Sequence, residues 1–239
     1  MLFARRAVRQ RSLMVTGGRL ILGTFVTIVS VAAIGAGTAT PSPGLTVCTG
    51  TMTGTIRGNV TVPMGKTCSL QTAVVTGNMR AQPGSSLAVL GDVTVKGNIV
   101  GAPSTVQIYS RPPHGPNTIT GNVTGGQMIC GAVMRGNVIM SGNSILLALG
   151  GTESGAACRN LGGGNKITGN VIVSDNAPSF FRVADNQVRG NVIIRGTSGT
   201  ATKRVLNNSI RGVLVCRDNK QPFVTSGNVA TISVGQCAA

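Results

Sequence analysis

Ile56-Arg57-Gly58-Asn59-Val60 decides how this chain is read, because the phrase keeps returning. It recurs at Val75-Thr76-Gly77-Asn78-Met79, Val95-Lys96-Gly97-Asn98-Ile99, Ile119-Thr120-Gly121-Asn122-Val123, Met134-Arg135-Gly136-Asn137-Val138, Ile167-Thr168-Gly169-Asn170-Val171 and Val188-Arg189-Gly190-Asn191-Val192. Weaker copies sit at Ile210-Arg211-Gly212-Val213-Leu214 and Thr225-Ser226-Gly227-Asn228-Val229. The glycines of consecutive copies are 19, 20, 24, 15, 33, 21, 22 and 15 residues apart. A unit of about 20 residues with short apolar segments and Gly/Asn turns marks a stacked solenoid. Alternation puts Ile56, Val60 and Val62 on one side and Arg57, Asn59 and Thr61 on the other, which is the period of a strand. The expected fold is all-β, a parallel β-helix (β-solenoid) of about eight to ten rungs. With 35 glycines among 239 residues, helix is disfavoured.

Second strands are expected at Ser86-Leu87-Ala88-Val89-Leu90, Thr105-Val106-Gln107-Ile108-Tyr109 and Ser144-Ile145-Leu146-Leu147-Ala148-Leu149. Asp175-Asn176, Asp185-Asn186 and Asp218-Asn219 read as turns. In the recurring phrase, Gly permits a sharp bend and Asn tolerates left-handed backbone. The asparagines either sit in these turns or face inward as a hydrogen-bonded ladder.

Residues 1–39 read as an export signal, followed by one solenoid domain over 40–239. Arg5, Arg6, Arg9, Arg11 and Arg19 precede an uncharged apolar run over 20–34, and Ala36-Gly37-Thr38-Ala39 supplies small residues for cleavage. Uncleaved, residues 20–36 would anchor the chain in a membrane; the start is Met1 or Met14, and Arg5-Arg6 hints at twin-arginine export. The signal holds five of the 21 Lys and Arg and none of the five acids, so the remainder carries a formal +11. Such a balance attracts polyanions. For an exported chain the expected partners are anionic cell-envelope polymer or lipid head groups, with no nucleic acid and no small-molecule cofactor.

All six cysteines follow the signal, as in a disulfide-bonded exported protein. Cys48 to Cys68 spans 20 residues and Cys216 to Cys237 spans 21, about one rung each. Adjacent rungs lie ~4.8 Å apart, within disulfide reach. Cys130 and Cys158 remain, so sequential pairing is expected, with staples at both ends of the stack. No Cys-x-x-Cys exists and His114 is the one histidine, a composition that offers no zinc site.

The tail Asn208-Ser209-Ile210-Arg211-Gly212-Val213-Leu214-Val215-Cys216-Arg217-Asp218-Asn219, closed by Gly235-Gln236-Cys237, resembles the ends of exported Gly-Asn-rich repeat proteins of actinobacteria. The resemblance is strongest over 160–239 and implies fold and compartment. It carries no catalytic residues with it. This chain departs from it at Val213, where the repeat has Asn, and in the Ala238-Ala239 extension.

Parallel β-helices can host polysaccharide lyases and hydrolases, which need paired carboxylates or Ca²⁺-binding acids. Here the acids are Asp92, Glu153, Asp175, Asp185 and Asp218. Asp175 and Asp185 are the catalytic candidates if they meet across adjacent turns; as Asp-Asn pairs they are equally turn caps. His114, in Arg111-Pro112-Pro113-His114-Gly115-Pro116, has no acid or nucleophile near it in sequence. The mature chain's aromatics are Tyr109, Phe180, Phe181 and Phe223, too few for sugar stacking.

The residue before each Gly is Arg57, Thr76, Lys96, Thr120, Arg135, Thr168, Arg189, Arg211 and Ser226. If the rungs stack in register, these form one outward column, interrupted where insertions fall near 101–118 and 150–164. Arg57, Lys96, Arg135, Arg189 and Arg211 are the expected contacts to anionic polymer; otherwise the column is a solvated face. The sequence-level expectation is an exported, non-enzymatic structural or adhesive module at the cell envelope, without cofactor or metal. The alternative is a lyase or glycoside hydrolase of the parallel β-helix type.

Overall fold

The computed structural model describes residues 44–152 and 155–238. The expected export segment and Glu153 lie outside the described residues. Each turn of chain crosses three faces. The first face is a parallel sheet of ten strands: Leu45–Val47, Asn59–Val62, Met79–Ala81, Ile99–Gly101, Val123–Thr124, Val138–Ser141, Val171–Ser174, Val192–Arg195, Val213–Arg217 and Ile232–Gly235. The second face holds Ser86–Val89, Val106–Ile108, Gly126–Ile129, Leu146–Gly150, Phe180–Ala184, Lys203–Leu206 and Phe223–Ser226. The third holds the two-residue strands Thr94–Val95, Thr118–Ile119, Val133–Met134, Lys166–Ile167, Gln187–Val188 and Ser209–Ile210. Thr51–Ile56 and Thr67–Val75 run round the corner between these two, joining them into a 15-stranded sheet. The described residues therefore form an all-β parallel solenoid of about nine turns.

Alternation turns every second residue inward, and register stacks these residues into columns. Val60, Met79, Ile99, Val123, Val138, Val171, Val192 and Leu214 are successive partners along the first face, all buried. Burying each is worth about 1.5–3 kcal/mol. The end rungs turn polar side chains inward: Thr46 lies beside Val60, Ser233 beside Leu214 and Thr225 beside Val205. Disulfides Cys48–Cys68 and Cys216–Cys237 tie each end rung to its neighbour, with Cα atoms 5.5 and 5.2 Å apart.

Corners break the sheet ladder, and asparagine side chains replace it. At the Gly-Asn corner between third and first faces, the backbone N–H of Asn78 donates to Asn59 Oδ1 at 2.8 Å, and its Nδ2 donates to the same atom at 3.2 Å. The pattern repeats through Asn98, Asn122, Asn137, Asn170 and Asn191, until Val213 closes it with its N–H on Asn191 Oδ1. This ladder is largely exposed. Inner ladders line the other two corners and run with opposite polarity, the earlier rung donating. Asn165, Asn186, Asn208 and Asn228 form one, Asn143 and Asn176 another, with Asn219 on Gln236 at its end. Asn143, Asn165, Asn176, Asn186 and Asn208 are at most 1% exposed. The two sequence alternatives for asparagine thus both occur, at different corners. Asp175, Asp185 and Asp218 precede inner-ladder asparagines with φ of 56–58°, the left-handed turn that their type tolerates.

Glycine in the recurring phrase serves a different purpose from the bend expected of it. Of these glycines only Gly58 and Gly227 have positive φ. A Cβ on Gly169 would lie 2.5 Å from the Gly136 carbonyl oxygen, and one on Gly97 2.5 Å from that of Gly77. The side chain is missing because the preceding rung occupies its space. The copy at Ser226 is a correction to the sequence reading: Gly227-Asn228 turns the corner between second and third faces, where Asn228 accepts from Asn208.

The surplus residues of the long rungs leave at that same corner. One insertion lies between Val106–Ile108 and Thr118–Ile119, the other between Leu146–Gly150 and Lys166–Ile167. The second folds over the outside of the second face, where Leu161 and Ala157 meet Met128, Tyr109, Leu146 and Phe180, and Cys130–Cys158 pins it. Phe180 therefore covers the sheet while Phe181 fills the core.

Two outcomes follow from the corners. Gly169→Ala should cost about 1–3 kcal/mol by overpacking, whereas Gly50→Ala, whose Cβ meets nothing within 4 Å, should stay within about 0.5 kcal/mol; denaturant titration measures both. Thr197 stands where an inner ladder calls for Asn, and its buried Oγ1 has no hydrogen-bond partner. Thr197→Asn extends the acceptor by one bond toward Asn176 and should add about 1 kcal/mol, a rise of roughly 2–4 °C in Tm.

A basic groove and a histidine-aspartate clasp

The third face carries the residues expected to bind polyanions. After each short strand the chain continues its parallel pairing through one more residue. Lys96 N–H donates to Val75 O, Thr120 to Val95, Arg135 to Ile119, Thr168 to Met134, Arg189 to Ile167 and Arg211 to Val188, all at 2.9 Å. Arg57, Thr76, Lys96, Thr120, Arg135, Thr168, Arg189 and Arg211 consequently stand in one exposed file. The insertions leave from another corner and do not interrupt it, contrary to the sequence reading. Ser226 is outside the file, since it pairs with Leu206 on the second face. Arg57, Lys96 and Arg135 are two rungs apart, ~10 Å, where like charges repel by only about 0.4 kcal/mol in water.

Toward the C-terminal end the file borders a groove of about 370 Å³ lined by Val133, Lys166, Thr168, Gln187, Arg189 and Arg211, among others. Lys166 is not among the expected contacts. It is the outward residue of Lys166-Ile167-Thr168, two positions before Thr168, and the same alternation that defines the strands points to it. Three cations, the Thr168 and Ser209 hydroxyls and the Gln187 amide face one concavity without a carboxylate. That donor set suits phosphate or carboxylate oxygens.

The catalytic candidates do not assemble. Asp175 and Asp185 lie at opposite ends of the second-face strand Phe180–Ala184, and those five residues alone span roughly 16 Å. Asp185 Oδ2 instead accepts from the N–H and Oγ1 of Thr152, at 2.6 and 2.8 Å, at the root of the long insertion. Asp175 begins the turn that leads to Asn176.

An acid and the histidine do meet, one rung apart. His114 Nδ1 lies 3.0 Å from Asp92 Oδ2, Gly115 N–H donates to Asp92 Oδ1 at 2.8 Å, and the Gln71 amide nitrogen reaches His114 Nε2 at 2.8 Å. With Gln71 donating to Nε2, the ring proton is on Nδ1 and is given to Asp92. Both ring nitrogens are occupied, so this pair clasps the insertion to the preceding rung and leaves no nitrogen to take a proton from substrate. The hydrogen bond from His114, and then that from Gly115, holds the Asp92 carboxyl below its ordinary value. Sequence proximity misses the pair because its 22-residue separation is one turn of the stack. His114 also lines an open cleft of about 600 Å³ between the insertions, with Pro112, Thr152, Arg159 and Asn160.

Among the described residues no group of three or more His, Cys, Asp or Glu could hold a metal ion, and no helix is long and apolar enough to cross a membrane. Lys203 is fully buried with its ammonium on the Gly199 carbonyl at 2.9 Å; burial, and then the charge of Lys220, lowers its pKa. No protein-family model, curated protein or solved structure matches the chain.

The clasp has a pH signature. A depressed carboxylate pKa gives stability that is present above the unfolded value and lost as pH falls through the folded one. Carboxyl-carbon NMR should show Asp92 titrating below the usual aspartate range, and His114→Ala should return it upward; an unmoved titration would remove the clasp.

Proposed function

We propose that the chain is an exported, non-enzymatic structural or adhesive module of the cell envelope that binds an anionic polymer along its third face. The in-register file of Arg57, Lys96, Arg135, Arg189 and Arg211 carries this reading, because a polymer recognised by repeated contacts needs a periodic row of like charge. Threonines between the cations supply hydroxyl donors at the intervening rungs, and the groove beside Lys166 concentrates charge at one end. Three disulfides support an oxidising compartment, and the formal charge of +11 over residues 40–239 supports a polyanionic partner. The contact would be ionic and hydrogen-bonded, since aromatic residues are 3% of the chain. Phosphodiester polymers and polyuronates both present the matching oxygens.

Binding of a purified teichoic acid or polyuronate, measured from low to high salt, tests the reading. Arg135→Ser/Arg189→Ser/Arg211→Ser should weaken binding at low salt and flatten the salt dependence, by about 0.7–0.9 in log–log slope for each arginine that engages the polymer. Unchanged affinity and slope would reject the file as the binding surface.

A further inference from the structure

The first face changes character along the stack. In its early strands apolar and polar residues alternate, as in Asn59-Val60-Thr61-Val62 and Met79-Arg80-Ala81. In its later strands they do not: Val138-Ile139-Met140, Val171-Ile172-Val173, Val192-Ile193-Ile194 and Val213-Leu214-Val215 are unbroken apolar runs. Such runs belong to parallel strands covered on both sides. The inner side is covered by the core. On the outer side, Ile139, Ile172, Ile193, Val215 and Val234 are register partners in one file, and Val213 with Ile232 begins a second beside it. Ile232 is 55% exposed and Val234 45%. The corresponding outer residues of early rungs are Val47, Thr61, Arg80, Val100 and Thr124, so aliphatic residues there are separated by polar ones and form no continuous file.

Charge surrounds this apolar strip. Arg195 and Arg217, exposed register partners, stand two residues beyond Ile193 and Val215 on the same outer side. Arg189 and Arg211 stand exposed past the Gly corner on the other flank. Asp175 and Asp218 lie in the turns just past Ser174 and Arg217; no acid occupies the outer side of the face among the described residues.

We propose that the C-terminal half of the first face docks on an anionic lipid surface. The strip spans five rungs, roughly 20 Å, and is one side chain wide until its last two rungs, where Val213 and Ile232 widen it to two. That is a fraction of the ~800 Å² per partner of a stable protein interface. A second copy would set arginine rims together with no acid on the face to pair them. A bilayer bearing acidic headgroups accepts a small aliphatic strip at its boundary and neutralises the rim. The aliphatic strip lies on a different face from the polymer-binding file, with which its rim shares Arg189 and Arg211, and the proposal does not rest on that file binding polymer.

The chain has no tryptophan, so one introduced indole reports its own surroundings. Ile193→Trp in the full oxidised chain should blue-shift on phosphatidylglycerol vesicles and be quenched by brominated lipid, with no shift on phosphatidylcholine. Ala88→Trp, outward on the second face between Ser69 and Gln107, should not move in either, even where another part of the chain touches the vesicle. Ile139→Ser/Ile172→Ser in the Ile193→Trp chain should lower the vesicle partition coefficient about tenfold with thermal unfolding still cooperative. Three results would overturn the proposal: no shift of the Ile193→Trp emission on acidic vesicles; a shift without vesicles that grows with protein concentration, which indicates a second copy; or a shift on soluble polyanion but not on vesicles.

Discussion

A backbone that turns three times per rung cannot keep all its amides paired by sheet alone, and every buried amide left without a partner costs stability. Stacked asparagine side chains resolve this conflict. Each Oδ1 accepts both the backbone and the side-chain N–H of the asparagine one rung away, as Asn186 does for Asn165 and Asn208 for Asn186. The Nδ2 also reaches a strand carbonyl, such as that of Leu149 from Asn186. The carboxamide thus copies the peptide group in side-chain form, at the spacing of the sheet. Strand register, core columns and the outward files inherit that spacing from the corners.

The stack is legible in the sequence because its phrase is periodic and its alternation strict. The second strands near Ser86, Thr105 and Leu146 and the outward file of basic residues come from the same two periods. Misreadings have physical causes. Gly-Asn is written at two kinds of corner for two reasons: at Gly169 no Cβ fits against the preceding rung, whereas at Gly227 and Gly142 the backbone itself is left-handed. The phrase at Ser226 therefore reads as one more rung of the outer ladder. Surplus length between two phrases does not say which corner it leaves from, so the insertions read as interruptions of a file they never reach. The Asp92–His114 contact is vertical, and linear proximity is blind to it. Lys166 is readable from alternation, but the phrase singles out one position in each rung and passes over its neighbours.

The three faces present different chemistry because each uses its outward positions independently of the shared core. The third carries cations and hydroxyls beside a shallow groove. The second is overlaid by the pinned insertion, with Arg182 buried and 5.5 Å from the Phe180 ring centroid. The first goes from mixed polar and aliphatic to continuously aliphatic along its length. A solenoid permits this because inward residues alone determine stacking; outward ones can vary without disturbing register. The same geometry keeps Asp175 and Asp185 on separate edges.

The placement of the disulfides has a mechanical consequence. A solenoid drawn out by its chain ends yields by unzipping, one rung at a time, starting from an exposed rim. Cys48–Cys68 and Cys216–Cys237 each join an outermost rung of the described stack to the one inside it, so tension arriving along the backbone bypasses the weakest turns through a covalent bond. The load reaches rungs that are held on both sides by neighbours, where separation requires breaking several parallel hydrogen bonds and a set of side-chain amide contacts together. Reduction of these two bonds would turn a stack that resists peeling into one that frays under modest force from either rim.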